Sequence, residues 1–343
     1  MSTARSPHFV PPSQSGSVGR REFLTWSAAA LAGATLSTIP FVPGDRLEAA
    51  DQAIVGPASR KRSLRLAHMT DMHVQPELHA GEGMAAALAH AQSIQDPPQL
   101  ILTGGDMVMD LLGVDAARSK AQWDVWQTVL KQKCSLPVKH CIGNHDVWGW
   151  NKVGSKTTGQ EPGWGKQQAI DHFGLSGRYY SFDHGGWRFF VLDSVFPSRT
   201  SLYAGRLDDE QFAWLQTELK KVPAAMPVAL VSHIPIVSVA VLEFTNPANN
   251  EIRLSAGMVH GDAAKIIRLL HKHPNVKLAL SGHLHLTERI EYSGVTYLCG
   301  GAVCGGWWKG PHHGTPEGYL LVDLFDDGSV ESRYVAYGWK ARA

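Results

Sequence analysis

The sequence is short of several things, and each shortage removes a class of function. Its 32 Lys and Arg nearly cancel its 31 Asp and Glu, leaving a formal charge of +1. There is no basic run, so no nucleic-acid partner is expected, and no broadly acidic surface either. Any affinity for phosphate must come from metals and local groups. Cysteine is scarce, and Cys134, Cys141, Cys299 and Cys304 do not have zinc-knuckle spacing. Cys141 lies in an apolar stretch and reads as a buried thiol, while Cys299 and Cys304 flank glycines and leave a disulfide open. No internal repeat, collagen-like or coiled-coil pattern is present. The apolar run from Trp26 to Val42 is short and poor in Leu and Ile. It falls below the roughly 20 predominantly apolar residues of a membrane span, so no stable membrane anchor is expected. No lipid-attachment cysteine follows that run, so no lipid anchor is expected. What remains is 44% hydrophobic over 343 residues, enough for a sizeable core.

Residues 1–19 are rich in Ser, Pro and Gly and read as disordered. Arg20-Arg21-Glu22-Phe23-Leu24 then precedes the modest apolar run. That stretch resembles a twin-arginine signal, with Ala49-Ala50-Asp51 as a candidate cleavage neighbourhood. The expected organisation is a disordered N-terminus and signal over 1–60, then a catalytic domain over 61–343. The resemblance implies the twin-arginine export machinery as a partner and a periplasmic or secreted location.

The body is organised around Gly143-Asn144-His145-Asp146. Four other motifs accompany it: Asp71-Met72-His73, Gly105-Asp106, Ser232-His233 and Gly282-His283-Leu284-His285. Each follows an apolar run and so reads as a loop at a strand end. Strands are expected at 64–69, 99–102, 138–142, 228–231 and 276–280, with helices at 83–94, 116–131, 209–220 and 262–271. Tyr179–Phe182 and Trp187–Leu192 read as a hairpin about His184-Gly185-Gly186. Further strands are expected at 290–292, 295–298, 318–324 and 330–337, and long loops at 147–166 and 235–258. Trp123 and Trp126 fall on one helical face and read as core. Strand, ligand loop, helix, strand is an α/β pattern with the site at the strand ends. Two Asp, one Asn and four His are more donors than one ion uses, and oxygen and imidazole suit Mn, Fe or Zn. His145 is left over. Gly105 and Gly143 stand just before ligands, where a glycine permits tight turns and close approach.

The five motifs, in this order, resemble the calcineurin-like metallophosphoesterase superfamily over roughly residues 61–340. The resemblance implies two mixed β-sheets packed as a sandwich flanked by helices. It implies two divalent transition metal ions and a small phosphate-ester substrate, a phosphodiester or phosphomonoester, attacked by a metal-activated hydroxide. Carried over residue by residue, Asp71, His73 and His285 would bind the first metal, and Asn144, His233 and His283 the second. Asp106 would bridge them and His145 would be the catalytic histidine. A looser likeness covers Cys299 to Gly310, a Gly/Trp loop expected near the pocket.

Two departures stand out. Many members place an Asp where Met109 stands, to orient the catalytic histidine; here the acid comes one later, at Asp110. Purple acid phosphatases carry there a Tyr that binds ferric iron, which Met109 cannot do. A one-residue bulge would be needed to bring Asp110 to His145. His260, His312 and His313 read as structural or rim residues. The competing reading is a binding or scaffold protein that keeps the fold without catalysis; the intact ligand set favours the enzyme.

Overall fold

Strict alternation of apolar residues along the strands builds three layers of core. In β1 (Arg62–Met69), Leu64 and Leu66 face one side, while Ala67 and Met69 face the other. The same split divides Phe189 and Val191 from Phe190 and Leu192 in β5 (Trp187–Leu192). Period-2 side chains that are apolar on both faces mark strands buried on both faces. The result, in this computed structural model, is two sheets packed face to face with helices outside each. The described residues are 60–245 and 254–342. The expected disordered stretch and twin-arginine signal lie outside them. Among the described residues, no helix is long and apolar enough to cross a membrane.

The first sheet has the order β13-β12-β1-β2-β3, using β2 (Leu100–Thr103), β3 (Val138–Lys139), β12 (Gly318–Phe325) and β13 (Val330–Ala336). The second has the order β10-β11-β9-β8-β5-β4. Its other strands are β4 (Tyr180–His184), β8 (Val228–Ser232), β9 (Val276–Ser281), β10 (Thr287–Tyr292) and β11 (Val295–Gly300). β1, β2 and β3 run parallel, as do β5, β8, β9 and β11; antiparallel strands close both edges of the second sheet and the β13 edge of the first, whose other edge is the parallel β3. Helices α1 (Ala80–Ser93) and α2 (Ala116–Lys133) cover the first sheet, with Trp123 and Trp126 buried beneath α2. Helices α5 (Asp209–Lys221) and α6 (Ala263–Leu270) cover the second through Phe212, Leu215 and Ile266. This is the expected two-sheet sandwich flanked by helices.

Several local expectations need correction. The strand expected over 138–142 pairs only at Val138–Lys139. It is an edge strand; its Cys141 N–H still reaches Thr103 O of β2 at 3.2 Å, while the His140 N–H, facing away from β2, donates to the Tyr180 hydroxyl at 3.0 Å. The loop at 147–166 holds a one-turn helix α3 (Lys152–Ser155), and α4 (Gln167–Phe173) follows it without a side-chain cap to announce it. A small hairpin of β6 (Val195–Pro197) and β7 (Tyr203–Gly205) lies between β5 and α5. The second expected loop contains a 3₁₀ turn, Ala240–Phe244. The hairpin about Gly185 and Gly186 is present, both glycines having positive φ. All four cysteines are free: Cys141 is buried as expected, and Cys299 points its thiol at Gly282 O, not at Cys304.

Candidate metal centre

The parallel strands of both sheets deliver their following loops to one end of the sandwich. β1 leads to Asp71 and His73, β2 to Asp106, β3 to Asn144 and His145, β8 to His233, and β9 to His283 and His285. All eight predicted residues meet there. Asp71, His73, Asp106, Asn144, His233 and His285 are buried, while His145 and His283 keep partial exposure.

The backbone at this end is unusual. Asp71, His73, Asp106, His283 and His285 all have positive φ, between 44° and 72°. Such non-glycine residues are uncommon and strained, and they gather where the fold needs a side chain re-aimed. Gly143 serves by its lack of a Cβ rather than by its φ: a Cβ there would meet Asp106 Oδ1 at 2.1 Å.

Three of the imidazoles have their Nδ1 atoms pinned by backbone carbonyls. His73 reaches Met109 O at 3.1 Å, His233 reaches Gly104 O at 2.8 Å, and His285 reaches Gly305 O at 2.6 Å. A carbonyl accepts only, so each Nδ1 carries a proton, and in the neutral ring each Nε2 presents a lone pair inward. Those lone pairs then face other acceptors. His73 Nε2 lies 3.1 Å from His285 Nε2, and His233 Nε2 lies 3.0 Å from Asn144 Oδ1. Acceptor against acceptor at such range repels unless a cation, or a second proton on one of the rings, sits between them. His283 Nε2 is also buried without a hydrogen-bond partner. The donor set therefore fits metal ions, and the carbonyls are the usual orienting partners of metal-ligating histidines.

The donors fall into sets that share Asp106. Its Oδ2 lies 3.7 Å from His73 Nε2 and 3.2 Å from His233 Nε2. Asp71 Oδ1 lies 3.3 Å from His285 Nε2 and 3.9 Å from His73 Nε2. His283 joins Asp106 and His233, with potential ligand atoms within 4.8 Å of one another. Electrostatics follow this layout. Burial pushes His73 and His283 down to about 3, so both are neutral donors. Burial also opposes charge on His233, but Asp106 outweighs it and raises that ring to about 9. Burial works against the Asp71 anion as well, yet His285 and its neighbours bring it down to about 2. The site stores negative charge that positive charge must offset.

Sequence reasoning listed ligands and missed what holds them. Asp146 is fully buried and accepts four backbone N–H groups. Its Oδ2 takes Asp106 N and Gly143 N, both at 2.9 Å, and its Oδ1 takes Met107 N at 2.8 Å and Val108 N at 3.3 Å. Burial and nearby Asp106 push its carboxyl up to about 7, against the amides that favour the anion. It thus ties the β2 loop to the β3 loop. The acid at the fourth place of Gly143-Asn144-His145-Asp146 was the signal. Asp110 does swing to His145, its Oδ1 3.3 Å from Nδ1 but off the line of a hydrogen bond. Burial disfavours charge on His145, yet Asp106 and Asp110 outweigh it and hold its pKa above the usual imidazole value. The Gly/Trp loop lies at the site as expected: Trp307 sits over His285, with ring centroids 4.5 Å apart, and Trp308 is buried.

Asp146→Asn turns an amide NH₂ toward backbone N–H groups. It should cost at least the roughly 1.5–3 kcal/mol of one charge-assisted hydrogen bond. It should also weaken metal affinity by about 10–100-fold, although Asp146 is not a ligand. Urea denaturation and metal titration read both; wild-type metal affinity in the variant would contradict the tie.

Comparison with known proteins agrees with this geometry. A family model described as calcineurin-like phosphoesterase matches residues 64–286. The chain is 26% identical over 276 residues to a probable cyclic nucleotide phosphodiesterase of Synechococcus sp., spanning 79% of this chain and 91% of that one. It is 29% identical over 167 residues to a 3′,5′-cyclic-nucleotide phosphodiesterase of Nostoc sp., spanning 47% of this chain and 56% of the relative. Among solved structures, a dimetal phosphatase from Danio rerio is similar in fold, with a TM-score of 0.50 and 17% identity over 81% of this chain and 100% of that one. With the match running from β1 through the last of the ligand loops, the chain belongs to the calcineurin-like phosphoesterase family.

Proposed function

We propose that this protein is a two-metal hydrolase of small phosphodiesters. The observation that carries this reading is the pair of donor sets that share Asp106, each with lone pairs facing lone pairs. Asp71, His73 and His285 would hold one ion, Asn144, His233 and His283 the other, and Asp106 would span both. Divalent transition metal ions such as Mn, Fe or Zn supply charge neutralisation of the phosphate and acidification of a water. The chain's own residues do the rest. Asp106 sets the separation of the two sets. Its Oδ1 also accepts the His145 N–H at 2.7 Å, which fixes the backbone that carries the catalytic ring. His145 is partly exposed at the mouth and held toward its protonated form by Asp106 and Asp110. It is placed to hold a phosphoryl oxygen or to protonate the leaving oxygen. The names of the two cyanobacterial relatives make cyclic nucleotides the first diesters to test.

The same proposal extends to the cell. Arg20-Arg21 would direct the folded enzyme through the twin-arginine pathway to the periplasm or beyond, with the catalytic domain beginning near residue 61. Replacing both arginines by lysine should hold the precursor in the cytoplasm. Mature protein appearing outside the membrane in a strain lacking that pathway would refute this.

With Mn, Zn or Fe supplied, the purified protein should hydrolyse bis-p-nitrophenyl phosphate and 3′,5′-cyclic nucleotides. Inactivity with every metal would return the scaffold reading. His145→Ala should keep both ions and lower kcat by roughly 10²–10⁴ on cyclic nucleotides. The drop should be smaller on p-nitrophenyl esters, whose leaving group needs no proton. An equal drop on both would assign His145 to phosphoryl oxygens alone, and loss of metal would make it a ligand.

A further inference from the structure

The two adjacent tryptophans of the Gly/Trp loop do different things. Trp308 is buried, packs against Gly83 of α1, meets Trp339 edge-on, and donates its indole N–H to His73 O at 3.0 Å. It anchors the loop. Trp307 stays only partly buried, its ring centroid 4.5 Å from His285 and 6.0 Å from His73. Its φ is 54°. Trp308 has a φ of 68°, so strain marks the loop as a whole and exposure sets Trp307 apart. The loop therefore holds a strained, incompletely covered ring against two metal-facing imidazoles.

Other aromatic rings extend this surface. His312 meets Trp307 at 86° with centroids 5.3 Å apart, and lies nearly parallel to Phe244 at 15° and 6.2 Å. Phe244 is 39% exposed and ends the 3₁₀ turn. That turn is fixed in place. The Glu288 carboxylate accepts the N–H groups of Val239 and Ala240 at 2.6 and 2.7 Å, and Val241 is buried with Leu284 and Leu286. His313 Nδ1 also lies 3.2 Å from Glu243 Oε2, so two segments distant in sequence are tied together beside the metal centre.

We propose that Trp307, His312 and Phe244 form a stacking wall for the base of a nucleotide whose phosphate lies at the metal centre. This rests on the phosphodiesterase reading above and makes its substrate class a nucleotide. Trp307 and His312 stand nearly perpendicular, so the base would stack on Trp307 with the other two rings beside it, and such a stack is tolerant of which base it is, because every base offers a face.

Calorimetric titration of the Mn-loaded protein with AMP and with ribose 5-phosphate isolates the base, since the two share sugar and phosphate. AMP should bind more tightly by roughly 5- to 150-fold, the range of one base–aromatic stack. The ratio should fall toward one in Trp307→Leu and largely persist in Trp307→Phe. Equal affinities in the wild type would overturn the wall and leave the metal reading standing. A Trp307→Leu protein that keeps the full preference would also overturn the wall. Binding of neither ligand would overturn both.

Discussion

Three N–H···O=C hydrogen bonds, from His73, His233 and His285 to backbone carbonyls, decide what this end of the molecule can be. Each consumes the only proton of a neutral imidazole on the outer nitrogen. Each therefore turns a lone pair toward a space already lined by Asp71, Asp106 and Asn144. Without those carbonyls the rings could choose the other tautomer, and the same residues would make an ordinary hydrogen-bonded cluster. With them, acceptor faces acceptor across 3.0–3.1 Å, and only positive charge relieves the contact. The raised pKa of His233 is the same demand expressed in protons.

The carbonyls are reliable because the loops that carry them are tied to rigid strands. Asp146 gathers amides from both the β2 and β3 loops, and Gly143 lets those loops touch. Five candidate ligands in left-handed backbone conformations are strained locations that the fold must hold against relaxation. The two sheets do this by sharing a buried apolar core that includes Leu64, Leu66, Phe189, Val191 and Val231. Candidate ligands from the loops after β1, β2 and β3 then meet those from the loops after β8 and β9. The site belongs to neither sheet alone, so packing of the sandwich and assembly of the site are one event.

Much of this was legible in the sequence. Ligand motifs after apolar runs located the strand ends, because a strand buried on both faces must be apolar and its loop must carry the polar chemistry. Gly185-Gly186 marked its hairpin by the need for positive φ. What escaped reading depends on the backbone or on distant partners. The carbonyl of Met109 orients His73, and no side-chain identity at Met109 announces that. Val138–Ile142 is apolar enough for a full strand, but it lies at a sheet edge, where the outward His140 N–H is met by a side chain, the Tyr180 hydroxyl, and not by another strand. Asp110 reaches His145 because its Oδ1 also takes the Leu112 N–H at 2.9 Å, a local turn that spacing could only leave open. Asp146 was visible as an acid, but its four amide partners come from two loops that only the fold brings together.

The proposed centre holds two ions through one shared carboxylate, Asp106. Elemental analysis of the purified chain, beside Asp106→Ala prepared with the same metal supply, tests it most directly. Two ions per wild-type chain and loss of metal in the variant are expected, since no neighbouring donor can span both sets. Full two-ion loading of Asp106→Ala would contradict it.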